Sequence, residues 1–437
     1  MSIASPGSST TVSPDSSSSS SYTGPLTVVT TLFFMWGFLT CLNDILVPHL
    51  KPIFDLNYAE IMLIQFAFFG AYFLFSIPSA KIIDWIGYQR SMVLGLLTMG
   101  LGAFLFVPAA SVPSYPLFLV ALIVLAAGIT CLQVAANPYV TVLGKPQTAS
   151  SRLNLTQAFN SLGTFLAPFF GGLLILSAAP KTMEEIRALA PDALQAYRLH
   201  EASTVKLPYV GLGVALVVLA IAIGSFKLPK IPQAQHKVGE KVNDSIWRHP
   251  NLVFGVIGIF VYVGAEVAIG SFLVSYFTQP EIGGLTEKAA ASLVAFYWGG
   301  AMVGRFIGSG LLQKMKTGRL LGICAVCAAA LVMVSMLSTG HFAMWSIILV
   351  GFFNSIMFPS IFALGVAELG PLTGDGSGIL IMAIVGGALI PLAQGAIADK
   401  IGIHHAFFLP VICYLYILFF ALSGSKPNSE RGIPAAR

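Results

Sequence analysis

The stretch PLTVVTTLFFMWGFLTCLNDILVPHL, residues 25–50, carries one formal charge, on Asp44. A bilayer core about 30 Å thick needs roughly 20 consecutive apolar residues in a helix that crosses it. This run meets that length and is too long for the apolar core of a cleaved signal peptide. It therefore predicts an uncleaved first transmembrane helix.

Similar apolar runs recur almost to the C-terminus. Of the 437 residues, 56% are hydrophobic and 9% are charged, whereas a typical soluble domain has about 25% charged residues. The runs predict twelve spans, near residues 26–48, 58–83, 91–108, 116–141, 153–178, 208–226, 251–275, 290–313, 319–338, 342–367, 377–397 and 404–423. The sequence thus predicts an all-α membrane protein.

The basic residues predict the orientation of these spans. If the N-terminus is cytoplasmic, most of the 23 Lys and Arg residues fall in inside loops or at inside helix ends, which is the positive-inside pattern. We therefore expect a multi-pass protein of the bacterial inner membrane with both termini in the cytoplasm. The net charge of +5 is scattered through short loops, so we expect the lipid bilayer, and no nucleic acid, as a partner.

The chain divides into two related halves. Residues 1–24 are Ser-rich without Lys or Arg and predict a disordered cytoplasmic tail. A basic polar segment, 227–250, predicts a cytoplasmic linker between six-helix bundles at 25–226 and 251–423, with 424–437 as a second tail. We expect a short surface helix between Lys181 and Arg198 in the longest outside loop.

The halves also share local patterns. FFGAYFLFSIPSAKIID (68–84) in span 2 parallels FYWGGAMVGRFIGSGLLQK (296–314) in span 8 in its order of glycine, small and apolar residues before a charged loop. Repeats of this kind place a substrate site at their interface near the bilayer midplane. The sequence therefore predicts two pseudo-symmetric six-helix bundles with a central site.

Two carboxylates fall in the interior of predicted spans, away from their ends. Asp44, preceded by Asn43, lies in span 1, and Glu266 lies in span 7 within YVGAEVAIGSF (262–272). An ionisable group at bilayer depth is costly and usually marks an ion or substrate pathway. We expect Asp44 to face the cavity and to carry a proton, with hydrogen bonding at a helix break before Pro48 as the alternative. For Glu266, a role in transport and a role in holding neighbouring helices remain equally open.

Neutral amides and aromatic residues supply sugar-binding chemistry. An amide both donates and accepts hydrogen bonds, as a sugar hydroxyl does, although such residues also hold membrane helices together. On span 5, Asn154, Gln157 and Asn160 recur every three residues and share one stripe. The candidate binding residues are Asn43, Gln133, Asn137, Gln157, Asn160, Glu266 and Asn354, with Trp36, Phe38 and Trp298 as stacking partners.

Other chemistries lack support in the sequence. The five cysteines lie in apolar runs, and the C-x-x-C at Cys324 and Cys327 has no βαβ context, so we predict no metal site. No G-x-x-x-x-G-K-[ST] loop for ATP occurs and no pair of nucleophile and base is apparent in the spans. We expect no cofactor and no enzymatic activity. Arg305 is expected to be structural, with its long side chain reaching towards the cytoplasm.

Four motifs resemble one transporter family. FFMWGFLTCLNDILVPHLK (33–51), QVAANPYVTVLG (133–144), RLNLTQAFNSLG (152–163) and FNSIMFPSIFALG (353–365) are similar to the fucose permease family of the major facilitator superfamily. The resemblance covers nearly all of residues 25–423. It implies the major facilitator fold, with two six-helix bundles around a cavity alternately open to each side.

The same resemblance assigns roles to individual residues. It implies proton coupling for Asp44 and sugar contacts for Gln157 and Asn160. The family has a Glu in helix 4 where this chain has Gln133, which puts fucose as the substrate in doubt. Gln133 and the stretch around Glu266 look more like the glucose/galactose branch.

The segment AKIIDWIGYQR (80–90) resembles a degenerate form of the major facilitator loop motif. In that motif an acid and basic residues form a gate between the half-bundles. Here Asp84, Gly87 and Arg90 are the candidate gating residues, and Trp85 replaces the usual basic residue after the acid.

We therefore expect a monomeric carrier that imports glucose or galactose by proton symport with alternating access. The alternatives are a carrier for fucose, an amino sugar or another monosaccharide, sodium-coupled or uncoupled, and a sugar sensor that does not transport.

Overall fold

The computed structural model describes residues 22–54, 58–112, 114–174, 188–204, 206–230 and 244–431. Three predicted features therefore lie partly outside the described residues. They are the two tails, through residues 1–21 and 432–437, and the linker, through residues 231–243. The part of the chain that is described is built from helices joined by short connections.

The described residues of the first half include six α-helices. They are α1 (Thr23–Phe54), α2 (Tyr58–Ser111), α3 (Tyr115–Val142), α4 (Ala149–Leu174), α5 (Pro191–Thr204) and α6 (Lys206–Ser225). The surface helix expected between Lys181 and Arg198 is wrong in its bounds, because α5 begins at Pro191. A proline fits the first turn of a helix, and Asp192 beside it favours a helix N-terminus. Residues 181–187 lie outside the described residues.

Nine helices follow in the second half. They are α7 (Pro250–Phe277), α8 (Glu287–Leu311), α9 (Thr317–Leu337), α10 (Gly340–Asn354), α11 (Met357–Gly365), α12 (Thr373–Met382), α13 (Gly386–Ile401), α14 (Ile403–Ala406) and α15 (Phe408–Phe419). Short 3₁₀ turns at Ile246–Arg248, Gly370–Leu372 and Ala383–Val385 and a π turn at Phe420–Gly424 connect or extend them.

Spans 2 and 3 are joined differently from the expectation. The sequence predicts a loop between them, whereas helix α2 runs from Tyr58 to Ser111 and only Gly87 leaves helical geometry, with φ 79° and ψ 167°. This φ lies in the region that favours glycine, since it has no Cβ. Gly87 therefore makes the connection between the two spans in a single residue.

Span 10 is broken in its interior. Helix α10 ends at Asn354 and α11 begins at Met357, so the helix is interrupted at Ser355 and Ile356. Such a break frees backbone carbonyls, which inside a membrane must be satisfied by protein groups. The carbonyl oxygens of Asn354 and Ser355 both accept hydrogen bonds from side chains of other helices.

The outer surface of the helices suits a bilayer. Nine helical segments among the described residues are long and apolar enough to cross a membrane, with Phe66–Ser111 counted once although it includes parts of two spans. Large apolar side chains such as Leu74, Leu101 and Val218 are more than half exposed. In a membrane this surface contacts lipid tails instead of water.

The two bundles contact each other near the Gly87 connection and the start of α9. Ser151 Oγ donates to the Ser309 carbonyl at 2.8 Å, and Ser377 Oγ donates to the Val134 carbonyl at 2.9 Å. This end corresponds to the predicted cytoplasmic side. We call these contacts, with the Lys81–Asp375 and Thr317–Ser150 contacts beside them, the inner closure.

Candidate functional site

Asn43 and Asp44 fall within helix α1, as the sequence predicts for span 1. Their side chains belong to a part of α1 whose side chains lie outside the described residues. The predicted role of Asp44 in carrying a proton therefore stays a prediction.

Glu266 lies on α7, within the second bundle. Its Oε1 accepts a hydrogen bond from Tyr262 Oη at 2.8 Å, one turn earlier on the same helix. The guanidinium Nη2 of Arg305 lies 3.9 Å from the same oxygen. The side chain of Glu266 is 13% exposed. A carboxylate held in this way has a compensating cation and a fixed orientation, as an ionisable group at membrane depth requires.

Arg305 does not occupy the place that the sequence suggested. Its side chain is only 15% exposed, and it turns into the protein instead of reaching the cytoplasm. Besides Glu266, its Nε donates to the Ser355 carbonyl at 3.1 Å, and its Nη1 donates to Ser161 Oγ on α4. The expectation of a snorkelling residue is wrong because three partners within the membrane satisfy the guanidinium. Spacing along one helix gave no signal for these partners.

Two buried tyrosines and Asn354 extend the cluster around Glu266. Asn354 Nδ2 donates to Tyr297 Oη at 2.9 Å, and Tyr297 Oη donates to the Glu266 carbonyl at 3.3 Å. Tyr262 Oη also contacts the Asn354 carbonyl at 3.0 Å. The structure therefore brings together Glu266 and Asn354, both predicted site residues, through tyrosines that the sequence reading did not single out. In an apolar run these tyrosines resemble ordinary core residues.

In the first bundle, Gln133, Asn137 and Gln157 are all buried. Gln157 Nε2 of α4 donates to Asn137 Oδ1 of α3 at 3.4 Å, which joins two predicted binding residues. Gln133 Nε2 instead donates to Tyr72 Oη of α2 at 2.7 Å.

Asn160 reaches a different neighbour. Its Nδ2 donates to the Phe33 carbonyl of α1 at 2.9 Å. This bond holds α1 against α4. The sequence analysis gave such amides two possible roles, sugar binding and the joining of helices, and this contact is of the second kind.

Several amide atoms at these positions keep unused hydrogen-bonding capacity. Among the described residues, Gln133 Oε1, Asn137 Nδ2 and Asn354 Oδ1 are buried and have no hydrogen-bond partner. Buried polar atoms without partners are few in native proteins and each needs an explanation. A hydroxylated ligand, which both donates and accepts, has the chemistry to satisfy both kinds of atom.

The three aromatic candidates lie in different surroundings. Trp36 is 9% exposed, and its ring lies 5.4 Å from that of Phe33. Phe38 is half-buried and stacks on Phe34. Trp298 is 42% exposed, with its ring 5.1 Å from the ring of Tyr297, so it adjoins the Glu266 cluster.

The predicted gating segment meets the second bundle through a residue that the sequence did not select. Lys81 Nζ lies 2.7 Å from Asp375 Oδ1, at the start of α12, and 3.8 Å from Asp84 Oδ2. The Asp84 side chain is 5% exposed, whereas Arg90 is exposed. Within this segment, Lys81 and not Arg90 is therefore the cation that contacts the other bundle. Its partner lies 294 positions away, so no local motif identifies it.

The described side chains offer few groups that could bind a metal ion. Within the described ranges, no group of three or more His, Cys, Asp or Glu side chains is arranged to hold a metal ion. Cys131, Cys324, Cys327 and Cys413 are free thiols in the described part of the chain.

Residues 28–384 match the family model of the Major Facilitator Superfamily. The chain is 54% identical over 412 residues to the glucose/galactose transporter of Brucella abortus, covering 94% of this chain and 97% of that protein. It is 36% identical over 417 residues to the L-fucose-proton symporter of Escherichia coli, covering 94% of this chain and 95% of that protein.

Solved structures agree with these relatives. The crystal structure of the major facilitator transporter FucP in the outward conformation matches with a TM-score of 0.86 at 34% identity, covering 93% of this chain and 99% of that chain. The proton:xylose symporter XylE matches with a TM-score of 0.74 at 11% identity, over 92% of this chain and 95% of that one. These matches confirm the predicted fold of twelve spans in two six-helix bundles.

Proposed function

Because the chain belongs to the major facilitator superfamily, we propose that it is a secondary transporter that imports a hexose, glucose or galactose, together with a proton. The main support for this proposal is the 54% identity, over 94% of the chain, to a protein named as a glucose/galactose transporter. Proton coupling is supported by the 36% identity to a protein named as an L-fucose-proton symporter. Both relatives are transporters and neither is named as an enzyme.

The sugar site is proposed between the bundles. On one side lie Gln157 and Asn137, which contact each other, and on the other lies the Glu266 cluster with Asn354. Arg305 and Ser161 join the two sides. The full proposed set adds the remaining predicted residues, namely Asn43, Gln133, Asn160, Trp36, Phe38 and Trp298.

Asp44 is the proposed proton-coupling residue, on the strength of its motif in α1. Gln133 stands where the fucose permease family has a Glu, and an amide cannot bind or release a proton in the physiological range. Glu266 is the other carboxylate that the sequence places in the interior of the spans. We assign Glu266 first to sugar binding, because the contacts of its Oε1 with Tyr262 and Arg305 fix the orientation of the carboxylate.

Alternating access then requires the inner closure to open. A ligand can shift such an equilibrium only by binding one state more tightly than the other. The residues proposed for the gate are Asp84, Gly87 and Arg90, and the Lys81–Asp375 pair is added to them because it crosses between the bundles.

The protein is a multi-pass membrane transporter. Its location in the inner membrane with both termini in the cytoplasm is proposed from the positive-inside distribution of Lys and Arg. A monomer without a cofactor or nucleic-acid partner is proposed as the working form. The domain limits at 25–226, 227–250 and 251–423 stay predictions.

Fucose is the second candidate substrate. The similarity to the L-fucose-proton symporter of Escherichia coli, at 36% identity, supports it. Competition between sugars distinguishes the candidates, because glucose, galactose and fucose differ in the hydroxyl groups that they present to the amides.

The test is uptake of radiolabelled glucose into proteoliposomes, with and without an inward proton gradient. The variants are Asp44→Asn and, as a matched control, Asp192→Asn, which removes an exposed acid from α5. We expect gradient-stimulated uptake in the wild type and in the control. In Asp44→Asn we expect the stimulation to disappear while exchange of labelled for unlabelled sugar persists.

Uptake that ignores both the gradient and Asp44→Asn would contradict proton coupling and leave a uniporter or a sodium-coupled carrier. If glucose is not taken up and fucose is the only sugar that competes for binding, the proposed substrate is wrong. Binding of glucose without uptake by the wild type would favour a sensor over a transporter.

A further inference from the structure

Arg305 contacts both bundles at once. Its guanidinium reaches Glu266 and the Ser355 carbonyl in the second bundle, and Ser161 Oγ in the first. Its own carbonyl accepts a hydrogen bond from Asn154 Nδ2 at 2.7 Å. One residue of α8 is thus tied to α7, α4 and the break after α10.

The contact in the first bundle adjoins the amide stripe. Ser161 follows Asn160 in sequence and lies one turn after Gln157, whose carbonyl accepts a hydrogen bond from Ser161 Oγ at 3.1 Å. The guanidinium therefore lies between the proposed sugar-binding amides of α4 and the carboxylate of α7.

Arg305 also adjoins the inner closure. Ser309 lies one turn further along α8 and accepts from Ser151 across the interface at 2.8 Å. Asn154 lies one turn from Ser151 on α4 and donates to the Arg305 carbonyl. The guanidinium contact to Ser161 continues this row of contacts between α4 and α8 towards the midplane, and it is the charged member of the row.

A sugar hydroxyl could compete with the Arg305 guanidinium for the Glu266 carboxylate. Both described contacts, from Tyr262 and Arg305, fall on Oε1, and the Arg305 atom is 3.9 Å away. A separation of 3.9 Å is longer than a direct charge-assisted hydrogen bond of about 2.7–2.9 Å. A sugar hydroxyl that donates to Glu266 therefore competes with a cation that is only loosely paired.

We propose that Arg305 is the positioning residue through which sugar binding at Glu266 releases the inner closure. This inference rests on the proposed function. Without sugar, the guanidinium holds Ser161 and the carboxylate together across the bundles. A bound sugar redistributes the hydrogen bonds of Glu266 and Gln157, which weakens the hold of Arg305 on Ser161. The closure then depends on its remaining contacts, which are neutral hydrogen bonds such as Ser151–Ser309 and the largely exposed Lys81–Asp375 pair.

The test measures the width of the inner closure directly. Spin labels are placed on cysteines introduced at Gln147 and Gln313, two exposed positions one turn beyond Ser151 and Ser309. Pulsed dipolar spectroscopy then gives the distance between the labels in liposomes, with and without saturating glucose. The background replaces the native thiols Cys41, Cys131, Cys324, Cys327 and Cys413.

In the wild type we expect a short distance without sugar and a longer one with glucose. Arg305→Gln is expected to raise the open fraction without sugar about tenfold, as expected for loss of one charge-assisted bond, and to abolish the response to glucose. Arg305→Lys should restore part of the response because it keeps the charge. Ser161→Ala should raise the sugar-free open fraction in the same direction.

Arg319→Gln is the matched control, because it removes an exposed cation from α9 near the same end. It should behave as the wild type. A sugar-free distance in Arg305→Gln and Ser161→Ala equal to that of the wild type would overturn the proposal. The sugar-free comparison needs no substrate, so an absent glucose response in every variant, with the sugar-free shift intact, would contradict the proposed substrate alone.

Discussion

Lys81 Nζ lies 2.7 Å from Asp375 Oδ1, which joins the end of span 2 to the start of span 11 across the two bundles. Asp84 lies on the same side, 3.8 Å from the Lys81 ammonium. A cation between two acids at this position stabilises the closed form of the inner end.

Asp375→Asn is expected to weaken that closed form. Lys81 is 52% exposed, so the pair contributes only about 0.2–1 kcal/mol, which corresponds to at most about a fivefold rise in the open fraction. The Gln147–Gln313 label distance measures it. Asp399→Asn, at the other end of the same span, is the control. Exchanging the charges with Lys81→Asp and Asp375→Lys should recover only part of the wild-type closure, because the acid introduced at position 81 lies beside Asp84. A label distance that is unchanged in Asp375→Asn would remove the pair from the gate.

Gly378 allows close approach of α12 to α2. A Cβ at this position would lie 2.8 Å from Ala80 Cβ and 3.1 Å from the Ser76 carbonyl oxygen. Overpacking of this kind costs about 1–3 kcal/mol, so Gly378→Ala should favour the open inner end by roughly tenfold. Gly299→Ala serves as the control, because a Cβ there meets nothing within 4 Å. Identical label distances in the two variants would contradict the expectation.

Tyr262 orients Glu266 and should influence sugar affinity. Tyr262→Phe removes the 2.8 Å hydrogen bond to Glu266 Oε1 and the 3.0 Å bond to the Asn354 carbonyl. A hydrogen bond to a charged group contributes about 1.5–3 kcal/mol, so we expect the KM for glucose uptake to rise at least about tenfold. Tyr416→Phe, which loses a 3.1 Å bond to the Phe254 carbonyl elsewhere in the bundle, is the control. Equal KM values for both variants would place Glu266 outside the sugar site.

Asp244, which lies outside the membrane-spanning helices, is expected to make the stability of the protein depend on pH. Partial burial acts to raise the pKa of Asp244, but the hydrogen bond that the carboxylate accepts from the His249 ring, the bond from the Ser245 N–H and the charge of Arg248 lower it overall. A lowered pKa in the folded state stabilises the protein above the unfolded pKa of about 4, and this contribution is lost as the pH falls through the folded pKa.

Asp244→Asn is therefore expected to be less stable than the wild type at pH 7 by a few tenths to about 1 kcal/mol. The difference should shrink below about pH 4. Thermal unfolding in detergent at pH 7 and below pH 4 measures it, with Glu281→Gln, which removes an exposed acid from a turn, as the control. A difference that does not change with pH would show that the carboxylate charge is not the cause.

The sequence predicted the fold well because each span is a long apolar run. The first run, from Pro25, already required a membrane helix, and repetition of the pattern supplied the remaining spans. It missed the places where one or two residues decide the backbone. Gly87 turns the chain between spans 2 and 3 without a loop, and Ser355 and Ile356 break span 10.

The sequence indicated which residue types could form the candidate site, but not which of these residues contact each other. Glu266 and Asn354 attract notice because they are polar within apolar runs, and both lie in the observed cluster. Tyr262 gave no such signal, since a tyrosine fits an apolar core, and Arg305 was expected to reach water, as an arginine near a helix end commonly does. Their roles depend on the rotation and approach of helices far apart in sequence.

Coupled movement of sugar and protons is the central claim. Proteoliposomes loaded with a pH-sensitive dye, held at equal pH inside and outside, measure it most directly when glucose is added outside. Proton symport predicts acidification of the interior that begins with glucose entry and is absent in Asp44→Asn. Entry of labelled glucose without any change in internal pH would contradict it.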